Sequence, residues 1–286
     1  MSTAGDCERH EDVTGIPVIV TGIRRSQRRL GGELDLRFDI TLILTIGTLA
    51  VAACTPHDPR PQQTAIDRAI EDSTRPESER VLDESRHPAD VLLFAGVEPG
   101  WAVADLTAGS GYYSRVLSTA VGENGHVWSH NPTWIAERFT DMNMAMAQLA
   151  ETRTNMTYVV EPIEDFAKDI EVPLDAVFMV LFYHDTAWDG TDRAAMNQAI
   201  FDALKPGGVF LVIDHHAPEG SGVQFVNDTH RIEARIVLEE VTAAGFELIE
   251  NNAMLANEAD ERVLSVFDPS LRRRTDRFVY LFQKPL

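Results

Sequence analysis

Cysteine is nearly absent from this 286-residue chain: Cys7 and Cys54 are the two it has, both near the amino terminus. The residues beyond them can hold neither a disulfide framework nor a cysteine-ligated zinc. Basic charge is also scarce. Lys and Arg number 25 against 45 Asp and Glu, a formal net charge of −20. Residues 1–54 are close to balanced, with six Arg against seven Asp and Glu, so almost all of the excess falls on the rest. A body that acidic repels phosphate backbones, and no nucleic-acid partner is expected. The late basic cluster Arg272-Arg273-Arg274 is short, flanked by Asp268 and Asp276, and reads as a solvated turn. No internal repeat or low-complexity tract occurs.

The apolar, uncharged run Ile40 to Ala53 is too short for a comfortable membrane span, which needs roughly 20 residues. Its length suits the hydrophobic stretch of a signal peptide. It ends Val51-Ala52-Ala53-Cys54, which resembles the lipobox of bacterial lipoproteins. That resemblance implies a lipid on Cys54 and a membrane anchor at the cell envelope; an unused lipobox implies a cytoplasmic protein. Asp35 and Asp39 stand close before the run, where positive charge is usual. The expected organisation is a leader over residues 1–54, a polar tether and arm over 55–80, and a globular domain over 81–286.

Within the domain, strand-like and helix-like segments alternate. A helix is expected at Pro88 to Phe94, with proline in its first turn. Strands are expected at Trp101–Leu106, His126–Ser129, Met156–Val160, Leu174–Tyr183 and Val209–Ile213. Helices are expected at Tyr113–Val121, Thr133–Glu151, Arg193–Leu204 and Thr229–Ala244. Two last strands, Phe246–Glu250 and Phe278–Gln283, have no periodic helix between them. The alternation implies a mostly parallel sheet wound on both faces, and the ending implies an antiparallel last strand.

The first strand runs into a glycine loop, Asp105-Leu106-Thr107-Ala108-Gly109-Ser110-Gly111, and then a helix. Gly109 and Gly111 permit positive φ and close approach of backbone to a ligand. The helix that follows offers unpaired N–H groups and a positive dipole end. Open α/β sheets bind nucleotides at such a loop.

This pattern resembles the class I S-adenosylmethionine-dependent methyltransferases over about residues 81–286. More narrowly it resembles a bacterial group sharing the strings Leu93-Phe94-Ala95-Gly96-Val97, Gly111-Tyr112-Tyr113, Phe182-Tyr183-His184-Asp185, Leu204-Lys205-Pro206-Gly207-Gly208 and His230-Arg231-Ile232. The resemblance implies a Rossmann-like seven-stranded sheet, methyl transfer, and S-adenosylmethionine as cofactor. It implies that Asp105 meets the methionine amino group, and that Thr107, Ala108, Gly109 and Gly111 line the methionine and ribose. Thr107 stands where the superfamily has its first glycine. Asn131 stands near the usual acidic ribose ligand and would bond a hydroxyl with a neutral group. Glu164 or Asp165 would meet the adenine amino group.

Ligand and acceptor should meet above the carboxyl ends of strands one, four and five. His184 is the expected general base, with Asp185 orienting it. Tyr112 and Tyr183 could line the cleft. A metal on His184, Asp214, His215 or His216 is a further option, but His215 and His216 are adjacent and point oppositely in a continuing strand. The reading adopted is a metal-free site acting on a small-molecule acceptor. Two other readings are an exported lipoprotein using the fold as a non-catalytic binding module, and a nicotinamide oxidoreductase. The last is disfavoured because Gly109-x-Gly111-x-x-Ser114 lacks the final glycine of the dinucleotide fingerprint.

Overall fold

The computed structural model describes residues 60–286. The expected leader with Cys54, and the first part of the tether, lie outside the described residues. The remainder of the expected arm belongs to the fold. Helix α1 (Arg60–Glu71) buries Ile66 and Ala69 completely. Two single turns, α2 (Glu77–Arg80) and α3 (Asp83–Arg86), lead into α4 (Pro88–Phe94). Among the described residues, 60–80 therefore pack together with 81–286.

The strands are β1 (Ala102–Leu106), β2 (His126–Pro132), β3 (Met156–Glu161), β4 (Leu174–Val180), β5 (Leu204–His215), β6 (Glu247–Asn252) and β7 (Arg277–Gln283). They form one sheet in the order β3-β2-β1-β4-β5-β7-β6. Neighbours from β3 to β5 pair in parallel, and β7 runs antiparallel to both β5 and β6. The remaining helices are α5 (Tyr112–Val121), α6 (Thr133–Arg138), α7 (Thr140–Glu151), α8 (Arg193–Ala203) and α9 (Ala234–Ala243).

Side-chain alternation along the strands divides the core in two. Ala104, Val177, Met179, Phe210, Val212 and Phe282 join Met196 and Ile200 of α8 and Val237 and Val241 of α9. Val103, Ala176, Phe178, Leu211 and Ile213 join Val116 and Leu117 of α5 and Val91 and Leu92 of α4. Near-continuous apolar strands are what a sheet covered on both faces requires. The sheet's strand order reverses between β1 and β4, so the crevice outside their carboxyl ends is a topological switch point.

Several boundaries differ from the sequence reading. Strand β2 continues through Ser129, His130 and Asn131 to Pro132, because this stretch pairs with β3 as far as Glu161. The expected helix over Thr133–Glu151 breaks at Phe139, whose φ of −117° and ψ of 65° are not helical. Strand β4 stops at Val180, since Leu181 adopts φ +59°. The helix expected from Thr229 begins only at Ala234; Ile232 instead forms a parallel bridge with His216.

Candidate active site

The loop after β1 is held from beneath and from behind. Asp105 is 2% exposed, and its carboxylate accepts the Ser114 hydroxyl at 2.6 Å, tying β1 to the first turn of α5. Burial pushes this carboxyl up to about 7, against the lowering effect of the Ser114 hydrogen bonds. Thr107 adopts φ +59°, a conformation that costs a β-branched residue more than most. Its hydroxyl donates to the Leu106 carbonyl at 2.5 Å. This backbone geometry explains why a glycine suits the position in the family that the loop resembles. Residues 107–109 are half-buried and Ser110 is exposed, so this stretch of the loop is accessible.

Asn131 is not turned toward open space. Its Oδ1 accepts the Gly109 N–H at 2.8 Å, and its Nδ2 donates to the Gly109 carbonyl at 2.9 Å and to the Tyr158 hydroxyl at 3.0 Å. Tyr158 in turn donates to Asn143 Oδ1 of α7 at 2.7 Å. The side chain expected on a ribose thus grips the loop's backbone and joins it to α7 through a chain of neutral hydrogen bonds. Gly111 has a second reason to lack a side chain. A Cβ there would collide with Leu149 Cδ2 and come within 3.0 Å of Met146 Sδ, both on α7. Close packing of α7, as well as φ +95°, requires this glycine. Nothing in the sequence period alone marks it as a packing contact.

Glu164 and Asp165 lie in a 3₁₀ turn, Ile163–Asp165. Glu164 Oε1 accepts the Asp192 N–H at 3.0 Å, and Asp165 is exposed. The structure therefore gives Glu164 a tie to the start of α8, where Asp192 caps the helix by accepting from Ala194 and Ala195 N–H at 3.1 Å each.

At the ends of β4 and β5 a second group assembles. His184 is buried and its Nδ1 meets Asp214 Oδ1 at 2.8 Å; the other oxygen of Asp214 accepts the His184 backbone N–H at 2.7 Å. Asp214, not Asp185, orients this imidazole. Asp185 stands on the opposite side, with Oδ1 3.4 Å from His184 Nε2. His230 Nδ1 completes the group, 3.3 Å from His184 Nε2 and 3.2 Å from Asp185 Oδ1. Burial opposes charging of His184, but the Asp214 carboxylate and then Asp185 outweigh it and hold the imidazole above its ordinary range. Asp185 is pushed up by burial, yet the hydrogen bond from His230 and the charge of His184 bring it below the usual carboxylate range.

His215 and His216 do not join this group. Thr275 Oγ1 lies 2.8 Å from His215 Nδ1, and burial holds that imidazole well below its ordinary pKa. His216 packs edge-on against Phe278 at 5.1 Å. Tyr183 donates to Glu240 at 2.9 Å and Tyr112 to Asp83 at 2.6 Å, so neither hydroxyl is free.

His230 is fixed by its neighbour. Arg231 is fully buried, and its guanidinium donates to the Leu264 and His216 carbonyls at 2.9 and 3.0 Å and to both oxygens of Asp260 at 3.2 and 2.9 Å. This pair straps the irregular segment 254–275 to the strand ends. A charged arginine in a string of His230-Arg231-Ile232 gave no sign of burial, because its partner lies far along the chain.

The sheet order matches a known architecture. A chain from the Haloferax volcanii complex between the Trm112 methyltransferase activator and a methyltransferase superposes with a TM-score of 0.51 at 18% identity, covering 77% of this chain and 97% of that one. The fold is the Rossmann-like methyltransferase fold. Among curated proteins, the ubiquinone/menaquinone biosynthesis C-methyltransferase of Vibrio vulnificus is 25% identical over 152 residues, and that of Vibrio campbellii 27% identical over 127 residues. These alignments cover 52% and 43% of this chain, and the chain spans about half the length of each relative (54% and 45%). No family model matches. Within the methyltransferase fold, the loop 107–111 and the His184 group occupy two sides of the β1/β4 switch point.

Proposed function

We propose that this chain transfers a methyl group from S-adenosylmethionine to a small-molecule acceptor. The observation that carries the reading is the accessible loop of residues 107–110. It stands at the carboxyl end of β1, beside the strand reversal, and runs into α5, whose N-cap Gly111 supplies no side-chain hydrogen bond to the helix. The residues fit the cofactor on the backbone side. The N–H groups of Tyr112 and Tyr113 at the start of α5 would face its methionine portion, with Asp105 beneath them holding Ser114. They depart from the family pattern on the ribose side, where Asn131 has both amide ends committed to Gly109 and Tyr158. Asn131 acts in this reading as a positioning residue that sets the loop's shape.

Methyl transfer from a sulfonium is an in-line displacement, so the protein's work is alignment and proton removal. His184 is the group placed for the second task. With its Nδ1–H directed at Asp214, Nε2 keeps the lone pair on the side that holds Asp185 and His230. The test is turnover. Purified protein is incubated with S-adenosylmethionine and panels of phenols, amines, thiols and carbon acids, and S-adenosylhomocysteine is measured. His184→Gln should lower the rate roughly 100-fold or more at unchanged cofactor affinity. Equal rates in His184→Gln and the unsubstituted protein would remove His184 from the chemistry.

A further inference from the structure

We propose that His184 Nε2, Asp185 Oδ1 and His230 Nδ1 form a binding site for one divalent transition-metal ion. The three atoms make a nearly equilateral triangle with sides of 3.2, 3.3 and 3.4 Å. Metal–ligand distances of about 2.1 Å place neighbouring donors about 3.4 Å apart in a tetrahedron and about 3.0 Å apart in an octahedron. The observed triangle is one face of such a polyhedron, before any ion draws it in. Two imidazoles and one carboxylate on a single face suit zinc, iron(II) or manganese better than calcium or magnesium, which take oxygen.

The surroundings supply what a metal histidine needs. Asp214 accepts from His184 Nδ1 at 2.8 Å, which fixes the tautomer and leaves the Nε2 lone pair on the metal side. The Trp188 indole donates to Asp185 Oδ1 at 2.8 Å and orients that carboxylate. His230 holds its position in a left-handed backbone conformation, φ +55°, locked by buried Arg231 next to it. Two of the ligands come from the turn that follows β4 and the third from the segment after β5, so the triangle exists only in the folded chain. One side stays open. The His184 side chain is 4% exposed, but those of Asp185 and His230 are 15% and 26% exposed, leaving coordination positions toward the cleft. Trp188 and Phe267, both exposed at the surface, flank His230 with ring centroids at 6.5 and 4.9 Å.

Metal binding at this triangle does not depend on the methyl-transfer reading; its role there does. An oxygen or sulfur acceptor bound to the ion would lose its proton to solvent on coordination. Its lone pair would then form the bond to the methyl carbon as the sulfur–carbon pair returns to sulfur. His184 would in that case hold the ion rather than take the proton itself.

The experiment uses the full chain, stripped with a chelator and titrated with Zn²⁺ by calorimetry and with Co²⁺ by visible absorption. One equivalent should bind with submicromolar affinity, and Co²⁺ should show the intense bands of a low-symmetry nitrogen-containing site. His230→Ala, at the accessible corner, should weaken binding at least 100-fold without changing the circular dichroism spectrum. Asp214→Asn, behind the ligand, should weaken it roughly 10–100-fold. Failure of the unsubstituted protein to bind either ion, or an affinity in His230→Ala or Asp185→Asn equal to that of the unsubstituted protein, overturns the proposal. A protein that binds S-adenosylmethionine but no metal sinks this inference alone. One that binds metal but no S-adenosylmethionine sinks the methyl-transfer reading and leaves the metal site standing.

Discussion

Replacing Gly111 with alanine separates two reasons for a glycine at the mouth of α5. The residue has φ +95° and ψ 24°, and a left-handed backbone costs an L-residue roughly 1–2 kcal/mol. The new Cβ would also lie within 3.0 Å of Met146 Sδ and closer still to Leu149 Cδ2. Forcing a methyl into packed core of this kind costs roughly 1–3 kcal/mol. The expected loss is therefore roughly 2–5 kcal/mol, a drop of several degrees or more in melting temperature for a domain of this size. The two contributions can be separated in a Leu149→Ala background, which removes the nearest colliding carbon. There the increment from Gly111→Ala should fall toward the backbone cost alone, a coupling of roughly 1–3 kcal/mol. Gly109→Ala gives the comparison. Its φ is +61° and its Cβ would make an ordinary 3.5 Å contact with Met142 Sδ, so it should lose only the backbone share. Denaturant unfolding of the four variants measures all of this. The same increment for Gly111→Ala with Leu149 present or absent would refute the packing argument. Full stability with lost ligand binding would return Gly111 to the role of admitting a ligand.

Two further outcomes rest on buried charge. Asp105 titrates at about 7 in the folded protein because burial disfavours its charge, against 3.8 ordinarily, so the folded state keeps a proton that the unfolded chain has released. Stability should fall as pH rises from about 4 to 7, and Asp105→Asn should flatten that slope and be more stable by up to about 4 kcal/mol at pH 8; parallel unfolding curves for the two proteins would contradict the assignment. Breaking the buried Arg231–Asp260 pair by Asp260→Ala should cost about 3–5 kcal/mol, while Arg231→Met with Asp260→Leu should cost much less, because it leaves no unpaired charge. Equal losses by thermal unfolding in the single and double variants would show that the pair does not act as a unit.

The sheet was legible because its signals are local and repeated. The apolar run from Leu174, the glycine after α5 and the proline opening α4 each act within a few residues. What the sequence hid depends on partners distant in the chain. Asn131 reads as a ligand contact from its place after a strand, yet β2 runs past it and the loop of Gly109 consumes its amide. Asp185 adjoins His184 and invites the role of orienting it, but its carboxylate faces Nε2, and Asp214 reaches Nδ1 from β5. His184 and His230 were visible as members of one cleft; that Asp185 closes a triangle with their nitrogens was not, since His230 reaches them from a segment distant in the chain. The packing of α1 was hard to see because it shows only a narrow apolar stripe, Ile66 and Ala69 among polar neighbours, which is enough to bury one face.

Calorimetric titration of the full chain with S-adenosylmethionine and S-adenosylhomocysteine reads directly whether the loop of residues 107–111 binds the cofactor. Both should bind with micromolar affinity, weakened by Asn131→Ala through loss of the loop's brace, and NADH should give no heat. A folded protein that binds neither methionine compound would contradict a cofactor site at this loop.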